Sequence, residues 1–249
     1  NVKSSDFSNP HKIKEFLKEI LKERWIEKKK DSISNFSESV FRETGYIMRV
    51  SNGSVGGKGR GIAFTESLLQ KPGFHNMIKG ITVTIPRTII IGTDEFENFM
   101  DQVEFSDIIA SGREHDDIRR EFLELELSSM LRQRMKKMLT HIKGPLAIRS
   151  SGLFEDSLSQ PFAGIYETYF IPNNHPEMDV RLKQLEDAVK MVYASVFTPL
   201  AKSYFESVDH SIEEEKMAVM IQEVVGNGYG DYFYPHISGV AQSYNYYPF

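Results

Sequence analysis

The chain has 249 residues, of which 40% are hydrophobic and 26% charged, and a net charge of -5. This composition suits a globular domain with a core, and it lacks the clustered basic excess that a nucleic-acid backbone binder needs. Cysteine is absent. That excludes disulfides, zinc–thiolate sites and cysteine nucleophiles, and makes a reducing cytoplasm the expected setting.

The first thirty residues are heavily charged and contain no apolar signal segment. No apolar run approaches the roughly 20 residues needed to cross a bilayer. The chain starts at Asn1 and stops in the aromatic run Tyr244 to Phe249. Both ends are read as cut from a longer protein. An amphipathic helix is expected over 9–30, with Asn9 as cap and Pro10 in its first turn. Residues 31–44 are serine-rich and read as a linker.

A short apolar segment, Tyr46 to Val50, precedes a glycine cluster, and a helix is expected from Gly61 to Leu69. Two β-branched runs, Ile81 to Ile85 and Thr88 to Ile91, read as strands. Thr93 is expected to cap a short helix with Asp94 and Glu95 in its first turn. One long helix is predicted over 114–140, strands over 145–149 and 165–171, and another long helix over 179–206. Residues 217–225 have a buried-strand pattern, and 237–243 read as a further strand. Helices and strands mix without a strict βαβ rhythm, which makes the fold class α+β.

Two segments carry chemistry. Ser51 to Gly61, SNGSVGGKGRG, holds five glycines and Lys58. Such a loop lets backbone N–H groups approach an anion closely, and the lysine adds a point charge. It is not a Walker loop, because Asn52 and Gly59 stand where that motif needs Gly and Ser or Thr. A surface turn is the competing reading. The second segment, LAIRSSGLFEDSLSQPFAGIYETYF, runs from Leu146 to Phe170. It sets Arg149 at a strand end beside Ser150, Ser151 and Gly152, an arrangement suited to phosphate oxygens. The alternative is a structural arginine paired with Glu155 or Asp156. The seven histidines show no metal-ligand spacing. The tyrosines and phenylalanines from Tyr229 onward read as sheet and core packing.

The block IRSSGLFEDS…FAGIYETY resembles the signature of the dikinase ATP-binding domain. That family includes phosphoenolpyruvate synthase, pyruvate phosphate dikinase, glucan water dikinases and rifampin phosphotransferase. GGKGRG, TIPRTIIIGTDEFENFM, MAVMIQEVV and ISGVAQS resemble further family blocks in the family's order, over about 46–249. The sequence departs from the pattern at Arg60-Gly61-Ile62 and at Arg87-Thr88.

The resemblance implies an ATP-grasp-like domain, mostly its first lobe, over 45–249, with a second lobe beginning near 222. It implies that Lys58 and Arg149 contact ATP phosphates, Arg149 having the catalytic role. Thr168, nineteen residues after the arginine, would also reach the nucleotide. Gln222 takes the family's Gln position, and Glu223 to Val225 would lie along the adenine edge. The resemblance further implies ATP with Mg²⁺ and transfer through a phosphohistidine domain to pyruvate. The family's Thr-Ser-His segment and its metal-holding strand do not occur in this sequence. The metal ligands are therefore expected outside the chain, with no activity from it alone. The partners implied are ATP and the downstream phosphohistidine and pyruvate-binding domains, and neither nucleic acid nor membrane. Two other readings remain. One is a dikinase of the same fold acting on a glucan or a small-molecule hydroxyl, and the other is a non-catalytic nucleotide-sensing module.

Overall fold

The computed structural model describes residues 33–36, 47–71, 79–103, 108, 114–152, 164–208, 211–241 and 243. The helix expected over 9–30 lies outside them. The described strands are β1 (Ser34–Asn35), β2 (Ile47–Arg49), β3 (Thr88–Ile91), β4 (Leu146–Gly152), β5 (Thr168–Ile171), β6 (Met217–Glu223), β7 (Asn227–Tyr229) and β8 (Tyr232–Tyr234). The helices are α1 (Gly56–Leu69), α2 (Thr93–Met100), α3 (His115–Glu124), α4 (Ser129–His141), α5 (Met178–Ala194) and α6 (Pro199–Val208). The fold is α+β.

Six strands form one mixed sheet in the order β1-β2-β3-β6-β4-β5. The first three are parallel, and β3, β6, β4 and β5 are mutually antiparallel where they pair. Strands β3 and β6 are apolar through most of their length, and β4 is apolar over Leu146 to Ile148 and stays largely buried beyond, because both faces of these strands are covered. One face packs on α2 to α5. It carries Ile89, Ile91, Leu146, Ile148, Met217, Val219 and Ile221 into the main core, where Tyr169 and Ile171 of β5 pack at its margin. The other face carries Ile90, Ala218 and Met220 against Val55 and Ile62 of the α1 region. Alternation along each strand therefore divides the sheet into a helix-packed face and an α1 face.

Rings meet at the centre of the main core. Phe96 and Tyr193 lie 5.1 Å apart edge to face, and Phe99 and Phe122 lie 5.3 Å apart. Such pairs add roughly 0.5–1.5 kcal/mol each beyond their area. Arg181 is buried, with no carboxylate partner among the described residues. Its guanidinium donates to Asn173 Oδ1 (2.8 Å), Leu139 O (2.9 Å) and Ile142 O (2.6 Å), so it caps the end of α4. Burial holds its pKa below the ordinary range. Asn173, in the left-handed region at φ 52°, donates to Ile142 O and Gly144 O and completes that cap.

Several expectations are corrected. The stretch 31–44 is not wholly linker, since Ser34–Asn35 pairs with β2 at the sheet edge. Residues 81–85 form no ladder, and Ile81 and Val83 are about half exposed. Pro86 follows them and has no N–H to give. The helix expected over 114–140 breaks between Glu124 and Ser129, and Ser128 caps α4 by accepting from Leu131 N at 3.1 Å. The helix over 179–206 stops at Ala194, passes through a 3-10 turn over Ser195–Phe197, and resumes as α6 at Pro199. Gly92, not Thr93, precedes α2, and the Thr93 hydroxyl accepts from Ser54 N. Residues 237–241 are not a strand, and Ile237 and Val240 stand 89% and 88% exposed. The aromatic residues before them form the β7–β8 hairpin, with Tyr229 and Tyr234 stacked at 4.4 Å, and they lie outside the core.

Tyr193 is wholly buried, and its hydroxyl has no hydrogen-bond partner among the described residues. Burial also pushes its pKa up. An unsatisfied buried hydroxyl costs about 1–3 kcal/mol. Tyr193→Phe should therefore leave the unfolding free energy unchanged or raise it by up to about 1 kcal/mol. A clear loss in urea unfolding would show that the hydroxyl is satisfied.

Candidate functional site

The glycine cluster does not form a free loop. Helix α1 starts at Gly56, five residues earlier than the sequence suggests, and Lys58 stands in its first turn. Glycine disfavours helix by about 1 kcal/mol per residue relative to alanine, so this start needs outside support. Strand β4 supplies it. Ser151 Oγ donates to Val55 O at 2.9 Å and accepts from Gly59 N at 3.0 Å. Gly56 has φ +68°, and a Cβ there would sit 1.8 Å from Ser151 O. Gly53 has φ +83°, and its Cβ would meet Asp94 Oδ1 at 2.2 Å. These two glycines serve close contact between protein segments.

This docking puts Lys58 against β4. Its Nζ donates to Ser150 O at 3.3 Å and to Ser150 Oγ at 3.4 Å. Arg149 is the preceding residue. In the ladders Arg149 stands opposite Thr168 on one side and Met220 on the other. Paired residues share a face. Thr168, Arg149, Met220 and Ile90 thus form one row across the α1 face. Arg149 is half-buried, and among the described residues no carboxylate or hydrogen-bond acceptor pairs with its guanidinium. Glu155 and Asp156 lie outside those residues.

The neighbouring row holds Phe170, Ala147, Gln222 and Thr88. Gln222 Nε2 donates to Thr88 Oγ1 at 3.0 Å, and Thr88 Oγ1 donates to Pro86 O at 2.8 Å. At the end of β6, Glu223 N donates to Arg87 O and Val224 N donates to Pro145 O. Those two amides are thereby committed to the protein. The Glu223 carboxylate lies 3.6 Å from Arg87 Nε, and Val225 is 62% exposed just beyond. The structure therefore gathers Lys58, Arg149, Thr168 and Gln222 on one side of one sheet, with Glu223 and Val225 at its margin.

A family model described as pyruvate phosphate dikinase, AMP/ATP-binding domain matches residues 52–248. The chain belongs to this family. The dikinase match spans every residue of the two rows, the helix that bears Lys58 and the end of β6. It supports an ATP-binding domain of a kinase-type phosphotransferase family. A search of curated proteins finds no match. Among the described residues of this dikinase-family domain, no group of three or more His, Asp or Glu side chains could hold a metal ion. No described helix is long and apolar enough to cross a membrane.

The sequence offered Ser151 only as a neighbour of Arg149 and Thr88 only as the start of a strand and a departure from the family pattern, and it gave Phe170 no role. Thr88 had one signal, a hydroxyl at the head of the apolar run Ile89 to Ile91. Behind Thr168, on the helix-packed side, its neighbours Glu167 and Tyr169 are gripped by α3. Arg119 donates to Glu167 Oε2 at 2.9 Å and to Tyr169 OH at 2.6 Å. Burial, then the bond to Glu167, pushes the Tyr169 pKa up to about 12. His115 sits in the same cluster, with both ring nitrogens buried and unpartnered among the described residues. Burial, reinforced by Arg119, holds its pKa below the usual imidazole range, while Glu167 and Asp116 oppose that and Lys202 adds to it.

Ser151→Ala leaves Gly59 N and Val55 O without their bridge, and should cost about 1–3 kcal/mol in urea unfolding. A loss below about 0.3 kcal/mol would show that α1 docks without it. His115 has a depressed folded pKa, so its contribution is complete above the unfolded value of about 6.5 and is lost as pH falls toward the folded one. Stability of the wild type should fall from about pH 7.5 to about pH 5.5, and His115→Asn should flatten that fall. Equal slopes for the two proteins would contradict it.

Proposed function

We propose that this domain binds ATP across the α1 face of the sheet and presents its phosphates for transfer. The observation that carries the reading is Arg149: a half-buried guanidinium with no protein partner among the described residues, beside the helix start that bears Lys58. Two side-chain cations and the positive end of α1 share one neighbourhood, and a polyanion is the ligand that offsets such a field. Arg149 would bind phosphate oxygens through its fork of donors, and Lys58 would add a mobile point charge. Thr168, opposite Arg149, would donate its hydroxyl to the same phosphates. Gln222, with the backbone at Glu223 and Val225, would meet the base.

ATP supplies the phosphoryl group when bound. In the proposed sequence that group passes to a histidine on a separate domain and then to pyruvate. The described residues offer no donor set for Mg²⁺, so the steps assigned to this chain are binding and orientation alone. Ligands for Mg²⁺ are proposed to come from outside the chain, which by itself would not turn over. Phosphoryl transfer depends chiefly on positioning and charge neutralisation, which one half of a cleft cannot complete. The domain unit is proposed as 45–249, with the second lobe beginning near 222, and the setting as the cytoplasm.

Titration calorimetry with ATP and Mg²⁺ tests the binding step. Lys58→Ala and Arg149→Ala should each weaken ATP at least about tenfold, since a hydrogen bond to a charged group contributes roughly 1.5–3 kcal/mol. Absence of binding by the wild type, or variants that bind like it, overturns the reading.

A further inference from the structure

We propose that the cavity between the α3–α4 link and α5 binds an aliphatic α-amino acid, with Lys190 taking its carboxylate and Glu186 its ammonium group. The cavity lies among helices that cover the opposite side of the sheet from α1, so its occupant does not compete for the ATP face.

Glu186 and Lys190 stand one turn apart on α5, and each is only 6% exposed. A glutamate four residues ahead of a lysine is the favourable order for an ion pair along a helix. Burial sharpens the need, since a buried charge is costly unless it is paired. Yet the two do not pair with each other. Glu186 Oε1 accepts from Arg132 Nε at 2.7 Å, and Lys190 Nζ donates to Leu123 O at 2.9 Å. A carbonyl gives Lys190 no counter-charge, and among the described residues no carboxylate comes within ion-pair distance of it. Burial accordingly holds its ammonium below the ordinary lysine range, with Lys183 adding to the effect and Asp187, Glu186 and Glu124 opposing it.

Both side chains line one cavity of about 280 Å³. A carboxylate has about four lone-pair positions and an ammonium three donors, and the bonds just named use one of each. The cavity thus presents a cation and an anion side by side, each with bonding capacity left over. A molecule carrying both charges answers the two at once. An α-amino acid carries them on one carbon, a spacing suited to side chains that rise about 5–6 Å apart on successive turns. Glu124 and Glu126 also line the cavity and stand exposed, so a ligand with a carboxylate alone would meet three acidic groups. Leu123, Leu125 and Leu127 supply an apolar wall for an aliphatic side chain. Pockets for drug-sized ligands run from about 300 Å³ upward, so this one suits a smaller molecule.

Ligand-observed NMR on the whole chain tests the site with three probes of similar shape: L-leucine, isocaproate, which lacks the ammonium group, and isoamylamine, which lacks the carboxylate. The wild type should bind L-leucine at least about tenfold more tightly than either analogue, the loss expected for one hydrogen bond to a charged group. Lys190→Met, which keeps the length of the side chain and removes its charge, should bring leucine down to the affinity of isoamylamine. Glu186→Gln should bring it down to that of isocaproate. The three probes on the wild type need no substitution at a buried position, so they decide the matter even where a variant fails to fold. Either analogue binding as well as leucine, no leucine binding at millimolar concentration, or folded variants that keep the wild-type preference overturns the site. Leucine that competes with ATP would lie on the α1 face instead, and overturns it too.

Discussion

The serine hydroxyl at position 151 holds the functional face together. It is a donor to one side of the α1 entry and an acceptor from the first turn of the helix, and both bonds cross from a helix onto β4. Without it a helix that opens Gly-Gly-Lys-Gly has little intrinsic reason to start where it does. With it, the helix start is fixed within a residue or two of Arg149. The glycines are there because the backbones come so close: a methyl group at Gly56 would occupy the space of the Ser151 carbonyl. What looks in the sequence like a ligand-binding loop is first a joint between two protein segments. Its service to a ligand comes from where the joint leaves Lys58.

The two faces of the sheet do different work. The helix-packed face is apolar and closely filled by aromatic rings. The α1 face is apolar only beneath the helix, and then turns polar in two adjacent rows. Each residue of those rows is backed by one of the other face. Thr168 lies between Glu167 and Tyr169, which Arg119 holds from behind. Edge strand β5, only four residues long, thereby gains an anchor that its single ladder does not provide.

Much of the sheet was legible because β3 and the first five residues of β6 are buried on both sides and read as apolar runs. The arginine strand and the Gln strand stood where their composition put them. What the sequence concealed was register. Gln222 and Thr88 are 134 positions apart, and nothing local shows that they face each other. The helix break before Ser129 was hidden because apolar spacing continues through it, and only the cap on Ser128 marks the stop. Ile237 and Val240 imitate a strand in composition, yet they find no neighbouring strand and stay open to solvent. β-patterning describes a surface to be covered, and coverage is decided elsewhere in the chain.

The position of β6 has a consequence for how the molecule is made. This strand lies between β3 and β4 but follows both in the chain. During synthesis, β3 and β4 emerge first and have no direct ladder to each other. Their inner edges and the apolar side chains beneath α1 stay open until residues 217–223 leave the ribosome. Closing the sheet is then a single late insertion of a long-range strand, the slow and aggregation-exposed kind of event in folding. Until then the nascent chain would carry two unfinished half-sheets, and its yield in a cell would depend on what shields them meanwhile.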